Sequence, residues 1–122
     1  DMAWHSLKEV PAVGTVEFEQ SVLAPWGVLP AAEGAAFSTS FSHIFSGGYS
    51  AGYYSYKWAE VLEADAFSLF KEKGICNTEV SGSIRENILS KGGTEEASVL
   101  YRNVRGHDPE PQALMEKLGL VK

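Results

Sequence analysis

A histidine, a glycine pair and several tyrosines lie close together near the middle of the chain. These residues are His43, Gly47, Gly48, Tyr49, Tyr53 and Tyr56. A phenol hydroxyl donates and accepts hydrogen bonds, and an imidazole can donate one, so both can bind a peptide carbonyl or the negative oxygen that develops when a carbonyl is attacked. Glycine permits positive φ and close backbone approach, which suits a loop that covers a ligand. The group therefore favours one wall of a wet cleft.

The same residues have an interpretation without chemistry, in which a glycine turn precedes a packed, tyrosine-rich helix start. A phosphate-binding loop is a weaker alternative, although Gly47 and Gly52 have the spacing of its two glycines. Tyr53 stands where such a loop needs the lysine that reaches the phosphates. The phosphate-loop interpretation is therefore set aside, and the other two remain.

A long helix is predicted over residues 53–73, because this stretch contains neither glycine nor proline after Gly52 and is followed by Gly74. If its first turn extends back to Tyr49, then Tyr49, Tyr53 and Tyr56 form a row on one face. Glu60 and Glu63 continue the row, which favours a wet cleft. On the other side, apolar periodicity predicts a buried stripe. Its members are Tyr54, Trp58, Val61, Leu62 and Leu69.

Asp65 falls on the apolar side of this helix, where a carboxylate needs a partner. Arg85, Arg102 and Arg105 are the candidates for a structural ion pair.

Shorter helices are predicted on both sides of the long one. They cover residues 1–10, 15–23 with Thr15 as cap, and 78–90 with Asn77 as N-cap. Two more follow, one capped by Thr94 and one opened by Asp108 and Pro109. Residues 36–44 alternate Phe and Ser and fit either a short helix or a strand-like segment. The pattern predicts an all-α fold of five to six helices around the long central helix, in a single domain over residues 1–122.

Composition narrows the choice of partners. The net charge of −6 argues against nucleic acid and anionic membranes, both of which favour basic surfaces. Cys76 is the only cysteine, so an internal disulfide is excluded. No apolar run approaches the roughly 20 residues that span a bilayer. We expect no nucleic-acid or membrane partner and a cytoplasmic location, with the periplasm or secretion as alternatives.

Two stretches resemble one known family. HIFSGGYSAGYYSYKWAEVLEADAF and ILSKGGTEEASVLYRNVRGHDPEPQALMEKLGL are similar to the C-terminal part of the zinc metallopeptidases that include thimet oligopeptidase, oligopeptidase A and dipeptidyl carboxypeptidase. The resemblance implies that His43 and Tyr56 assist transition-state stabilisation. It also implies that Tyr49 and Tyr53, with Gly47 and Gly48, bind the peptide substrate, and that the chain is the C-terminal helical part of a catalytic domain.

The family's zinc is held by a His-Glu-x-x-His helix and a more distant Glu, and this chain has no such motif. We therefore expect zinc as the cofactor of a longer parent protein, no metal bound by this chain alone, and no peptidase activity from the chain alone. Its expected partners are a peptide substrate and the missing N-terminal part of the same protein. Surfaces that faced the missing part would favour self-association. The alternative is a stand-alone helical module that binds peptides or proteins without catalysis.

Overall fold

A computed structural model describes residues 1–121. In this part of the chain, helices are joined by turns and loops, and there is no strand. The all-α prediction is confirmed. Six α-helices lie in this part of the chain: α1 (Met2–His5), α2 (Thr15–Leu23), α3 (Ser55–Lys73), α4 (Thr78–Ile84), α5 (Ala97–Arg105) and α6 (Gln112–Lys117). None of the helices in residues 1–121 is both long enough and apolar enough to span a lipid bilayer.

The chain divides into two compact units at the start of α3, between Ser55 and Tyr56. The first unit, residues 1–55, holds the short helices α1 and α2 and three single 3₁₀ turns, Phe37–Thr39, Ser42–Ile44 and Gly47–Tyr49. Residues 36–44, for which a short helix and a strand-like segment were both predicted, thus form two 3₁₀ turns and no strand. The prediction of a single domain over residues 1–122 stays a prediction.

Aromatic packing holds the first unit together. The ring of Trp4 on α1 lies 4.4 Å from that of Phe18 on α2, and its other neighbour is Phe45 at 6.1 Å. The predicted helix over residues 1–10 is wrong beyond His5. Leu7 and Val10 are exposed, so continuing the helix would bury no apolar surface before Pro11.

The second unit, residues 56–121, is organised on α3. Ala64 and Asp65 are buried on this helix, and Leu100, Tyr101 and Leu114 are buried on α5 and α6. Asn77 caps α4 as predicted, because its side chain accepts hydrogen bonds from the N–H groups two and three residues later. A π-helical turn, Arg85–Leu89, continues α4.

Three predicted caps are wrong. Thr15 is itself the first residue of α2, whose N-cap is Gly14. Thr94 lies in a turn closed by its own N–H on the Lys91 carbonyl, and α5 begins only at Ala97. Asp108 does not open α6, which begins at Gln112, because its carboxylate is paired with Arg102 at 2.7 Å. At Thr94 a turn forms in place of the predicted cap, and at Asp108 an ion pair does.

Of the three arginines predicted as possible partners of Asp65, the structure places Arg105 against it. One carboxylate oxygen lies 3.0 Å from Arg105 Nη2, and the Tyr101 hydroxyl donates to the other at 2.6 Å. Burial alone raises the pKa of Asp65, but the hydrogen bonds from Tyr101 and Arg105 and the guanidinium charge lower it by more, so it lies below its ordinary value. Burial and the bond to Asp65 raise the pKa of Tyr101. The network joins α3 to α5.

The N-terminal end of the predicted buried stripe is wrong. Tyr54 is 64% exposed and Trp58 is 53% exposed, whereas Val61, Leu62 and Leu69 are half-buried. Tyr54 precedes the helix, which begins at Ser55 and not at residue 53. Trp58 lines an open cavity of about 340 Å³ and is not covered by a neighbouring helix. Leu62, Tyr101 and Pro109 also line this cavity.

The buried ion pair leads to a stability prediction. Replacing Arg105 with Leu leaves the Asp65 carboxylate buried without its cation, so the free energy of unfolding should fall by about 3 kcal/mol. Arg102→Ala on the same helix is the control, because its pair with Asp108 is exposed and should contribute less than about 1 kcal/mol. Urea denaturation of the purified chain measures both. Equal losses from the two variants would show that burial of the Asp65 pair does not matter.

Candidate functional site

His43 lies on the 3₁₀ turn Ser42–Ile44 of the first unit. Its neighbour Ile44 is buried and anchors the turn, whereas His43 itself is exposed. The imidazole lies 5.7 Å from the ring of Phe41, 6.1 Å from Tyr53 and 6.2 Å from Tyr49, between ring centroids. The structure thus brings together three of the predicted site residues, and we call Phe41, His43, Tyr49 and Tyr53 the His43 cluster.

A glycine-containing loop shapes this cluster. Gly47 has φ +71°, a conformation that residues with a side chain rarely adopt. Gly47 and Gly48 are the first two residues of the 3₁₀ turn that ends at Tyr49. The loop then bends back, so that the rings of Tyr49 and Tyr53 meet edge to face at 6.4 Å. Tyr49 is 41% exposed and Tyr53 is half-buried, so both tyrosines keep contact with solvent.

The predicted helical row of Tyr49, Tyr53 and Tyr56 is wrong. Turns closed by the N–H groups of Gly52 and Ser55 occupy the stretch before the helix, and α3 begins at Ser55. Tyr49 and Tyr53 meet because the loop folds back, and not because they share a helical face. The physical reason is that the glycines at 47, 48 and 52 stabilise turns at the expense of an extra helical turn.

Tyr56 belongs to the second unit, on the first turn of α3, and is 44% exposed. Glu60 and Glu63 follow it at helical spacing, as predicted. Both carboxylates have lysine partners: Lys57 at 2.8 Å from Glu60 and Lys117 at 2.7 Å from Glu63. These acidic side chains are therefore elements of exposed ion pairs.

Glu19 was not among the residues predicted for the site. It is buried on α2, and its two carboxylate oxygens accept hydrogen bonds from the backbone N–H groups of Phe37 and Ser38, at 2.6 and 2.8 Å. Burial raises the pKa of Glu19, but hydrogen bonds from Ser38 and Phe37 lower it by more, and the result lies below the ordinary value. Glu19 thereby fixes the turn that leads into Phe41 and His43.

His43 is exposed, Tyr49 is 41% exposed and Tyr53 is half-buried, so the imidazole and the two tyrosines of the His43 cluster lie together near the surface. This geometry can bind a polar, extended ligand such as a peptide. Residues 1–120 match peptidase family M3.

The chain belongs to peptidase family M3.

Individual relatives agree with this. The chain is 52% identical over 93 residues to oligopeptidase A of Escherichia coli K12, a match that covers 76% of this chain and 14% of that protein. It is 40% identical over 122 residues to dipeptidyl carboxypeptidase of Salmonella typhimurium LT2, covering 98% of this chain and 18% of that protein. Probable cytosolic oligopeptidase A of Arabidopsis thaliana is 43% identical over 109 residues, 86% of this chain and 16% of that protein. The chain thus spans between 14% and 18% of the length of these M3 relatives.

Membership of family M3 implies a metal ion, and a metal site needs several donor side chains that lie close together. Within residues 1–121, no three His, Cys, Asp or Glu side chains come together in a way that could hold a metal ion. The three histidines are separately engaged: His43 among aromatic rings, His5 with the carbonyl of Ile44, and His107 with that of Asp108. These residues do not fit a metal site.

The Glu19 contacts predict a pH-dependent stability. Glu19→Gln should lower the free energy of unfolding by about 2 kcal/mol, because the Gln amide nitrogen cannot accept the second backbone N–H. Since folding lowers the pKa of Glu19, its stabilisation is fully present above the ordinary value of 4.5 and is lost as the pH falls through the folded value.

Denaturation of the chain and the variant at several pH values measures this difference, which should be largest near neutrality and shrink in acid. Glu17→Gln is the matched control on the same helix, because Glu17 is exposed. A difference that is independent of pH, or equal for both variants, would contradict the assignment.

Proposed function

We propose that this chain is the C-terminal helical part of the catalytic domain of a longer M3 peptidase, and that it contributes the hydrogen-bonding side chains that bind and activate a peptide. The observation that carries the proposal is the His43 cluster, in which an imidazole and two phenols converge at the surface of a peptidase-family chain. The substrate class is oligopeptides, supported by relatives named oligopeptidase A and dipeptidyl carboxypeptidase.

The proposed roles follow from what each group can donate. His43 and Tyr56 would each donate a hydrogen bond to the carbonyl oxygen of the scissile peptide, whose negative charge grows in the transition state. Tyr49 and Tyr53 would hold the substrate backbone by hydrogen bonds, and the exposed backbone at Gly47 and Gly48 allows close approach. Binding by several rigid phenols would limit the ways in which the peptide can lie.

Zinc is the proposed cofactor of the longer protein, with its ligands outside this chain. The proposed partners are the peptide and the remaining part of the same polypeptide, in a cytoplasmic protein. Support for an intramolecular partner comes from large apolar side chains that are almost fully exposed in the first unit: Val10, Trp26, Val28 and Leu29. Without that partner the same side chains would favour self-association.

The catalytic roles predict a kinetic split in the longer protein. His43→Ala and Tyr56→Phe should each lower kcat by about a hundredfold with little change in KM, because each removes a donor that acts mainly in the transition state. Tyr49→Phe and Tyr53→Phe should instead raise KM. Steady-state hydrolysis of a fluorogenic oligopeptide measures both effects.

Tyr54→Phe is the matched control, because Tyr54 lies beside Tyr53 and is exposed. The proposal fails if this variant loses as much activity as Tyr56→Phe, or if His43→Ala retains the full kcat.

The purified 122-residue chain should hydrolyse no peptide, with or without added zinc, because the described residues 1–121 do not assemble a metal site and the sequence has no His-Glu-x-x-His motif. Fluorogenic peptide assays at high chain concentration test this. Chelator-sensitive hydrolysis by the chain would contradict the proposal. Peptide binding by the chain, together with a natural protein that has no further peptidase segment, would favour the stand-alone binding module.

A further inference from the structure

Asp1, the N-cap residue of α1, and His5, the last residue of α1, contact the segment that carries His43 and Tyr53. Asp1 Oδ2 accepts a hydrogen bond from the backbone N–H of Tyr53 at 2.9 Å. His5 Nε2 is hydrogen-bonded to the carbonyl oxygen of Ile44, the residue that follows His43. The first contact spans 52 positions of the sequence and the second spans 39. Both contacts lie within the first unit.

The two contacts bracket the loop. One lies next to His43 at its start and the other is made by Tyr53 at its end. Asp1 caps α1 and His5 ends it four residues later, a spacing that brings the two side chains to the same side of the helix. Asp1 Oδ1 also lies 3.3 Å from His5 Nε2, which places the carboxylate against the imidazole. We call this pair with its two contacts the α1 clamp.

The chemistry of the acceptor fixes one further detail. A carbonyl oxygen can only accept a hydrogen bond, so Nε2 of His5 carries the proton that it donates to Ile44. The adjacent Asp1 carboxylate favours that orientation of the ring. With side chains only 14% and 24% exposed, Asp1 and His5 are shielded enough for these contacts to hold a fixed geometry.

The loop between the contacts needs such support. Gly47 has φ +71°, and Ala51 has φ +57° although it carries a Cβ. A non-glycine residue in this region costs about 1 to 2 kcal/mol and persists where surrounding contacts hold it. The glycines also widen the range of conformations that the loop would sample on release. Loss of the clamp would therefore let His43 and Tyr53 move relative to each other.

We propose that Asp1 and His5 are positioning residues that hold the backbone of residues 44–53, so that His43 and Tyr53 keep the geometry needed for peptide binding and hydrolysis. The catalytic half of this inference rests on the proposed function, and the structural half rests on the contacts of α1 alone. Neither residue needs to touch the substrate.

The test uses the longer protein with His5→Leu and Asp1→Leu, which remove the donor and the acceptor. His5→Gln is the rescue variant, because its amide nitrogen can donate from about the position of Nε2. Lys8→Ala is the matched control on the same stretch, because Lys8 is exposed. Hydrogen–deuterium exchange of peptides covering residues 44–53, kinetics with a fluorogenic oligopeptide and thermal unfolding are measured for each.

We expect faster exchange over residues 44–53 in both Leu variants, with a fall in kcat of about tenfold from misplacement of the donors. His5→Gln should recover most of kcat and slow exchange again, and Lys8→Ala should match the unaltered protein. Because global unfolding would raise exchange everywhere, the rise must be local to this segment.

Unchanged exchange over residues 44–53 in both Leu variants would overturn the α1 clamp. Faster local exchange with unchanged kinetics would overturn its positioning role. The positioning role would also be overturned if His5→Gln slowed exchange over residues 44–53 again but did not restore kcat. An unaltered protein without any peptidase activity would overturn the proposed function and the catalytic half of the inference, while exchange would still decide whether the clamp exists.

Discussion

Backbone that forms neither a long helix nor a strand must find hydrogen-bond partners elsewhere, and this constraint governs the segment over residues 36–54. Its 3₁₀ turns satisfy only some of the N–H and C=O groups. Glu19 accepts the N–H groups of Phe37 and Ser38, Asp1 accepts that of Tyr53, and His5 donates to the carbonyl of Ile44. The short helices α1 and α2 thus have two roles: their aromatic side chains pack together, and the cap residue Asp1, His5 and Glu19 bind the backbone of this segment.

The polar side chains that hold this backbone contact N–H and C=O groups and not the rings of the His43 cluster. Ile44 is buried whereas His43 next to it is exposed, and Tyr49 remains substantially exposed although its ring contacts its neighbours. In such an arrangement the supporting backbone is fixed, while His43 and Tyr49 keep contact with solvent. Such preorganisation lowers the entropy lost when a peptide binds. It also explains how a loop with several glycines can present side chains in a defined arrangement.

Local signals in the sequence predicted local structure well. The bounds of α2, the end of α3 before Gly74 and the cap at Asn77 follow from a few adjacent residues. The ion pair of Asp65 was predictable because a carboxylate on an apolar face needs a cation, although the sequence left three arginines as candidates. The supports of the His43 cluster were not predictable. Their partners are 18 to 52 positions apart, and no periodic pattern links residues across such distances.

The failed part of the buried stripe shows a second limit of periodicity. A 3.6-residue repeat tells which side of α3 is apolar, but burial also requires a partner that is long enough to cover it. With 19 residues α3 extends about 28 Å, whereas the nine residues of α5 extend about 14 Å. Contacts of Tyr101 and Arg105 with Asp65 place α5 against the middle of α3. The first turns of α3, with Tyr56 and Trp58, therefore remain exposed within the second unit, and the donor role proposed for Tyr56 requires this exposure.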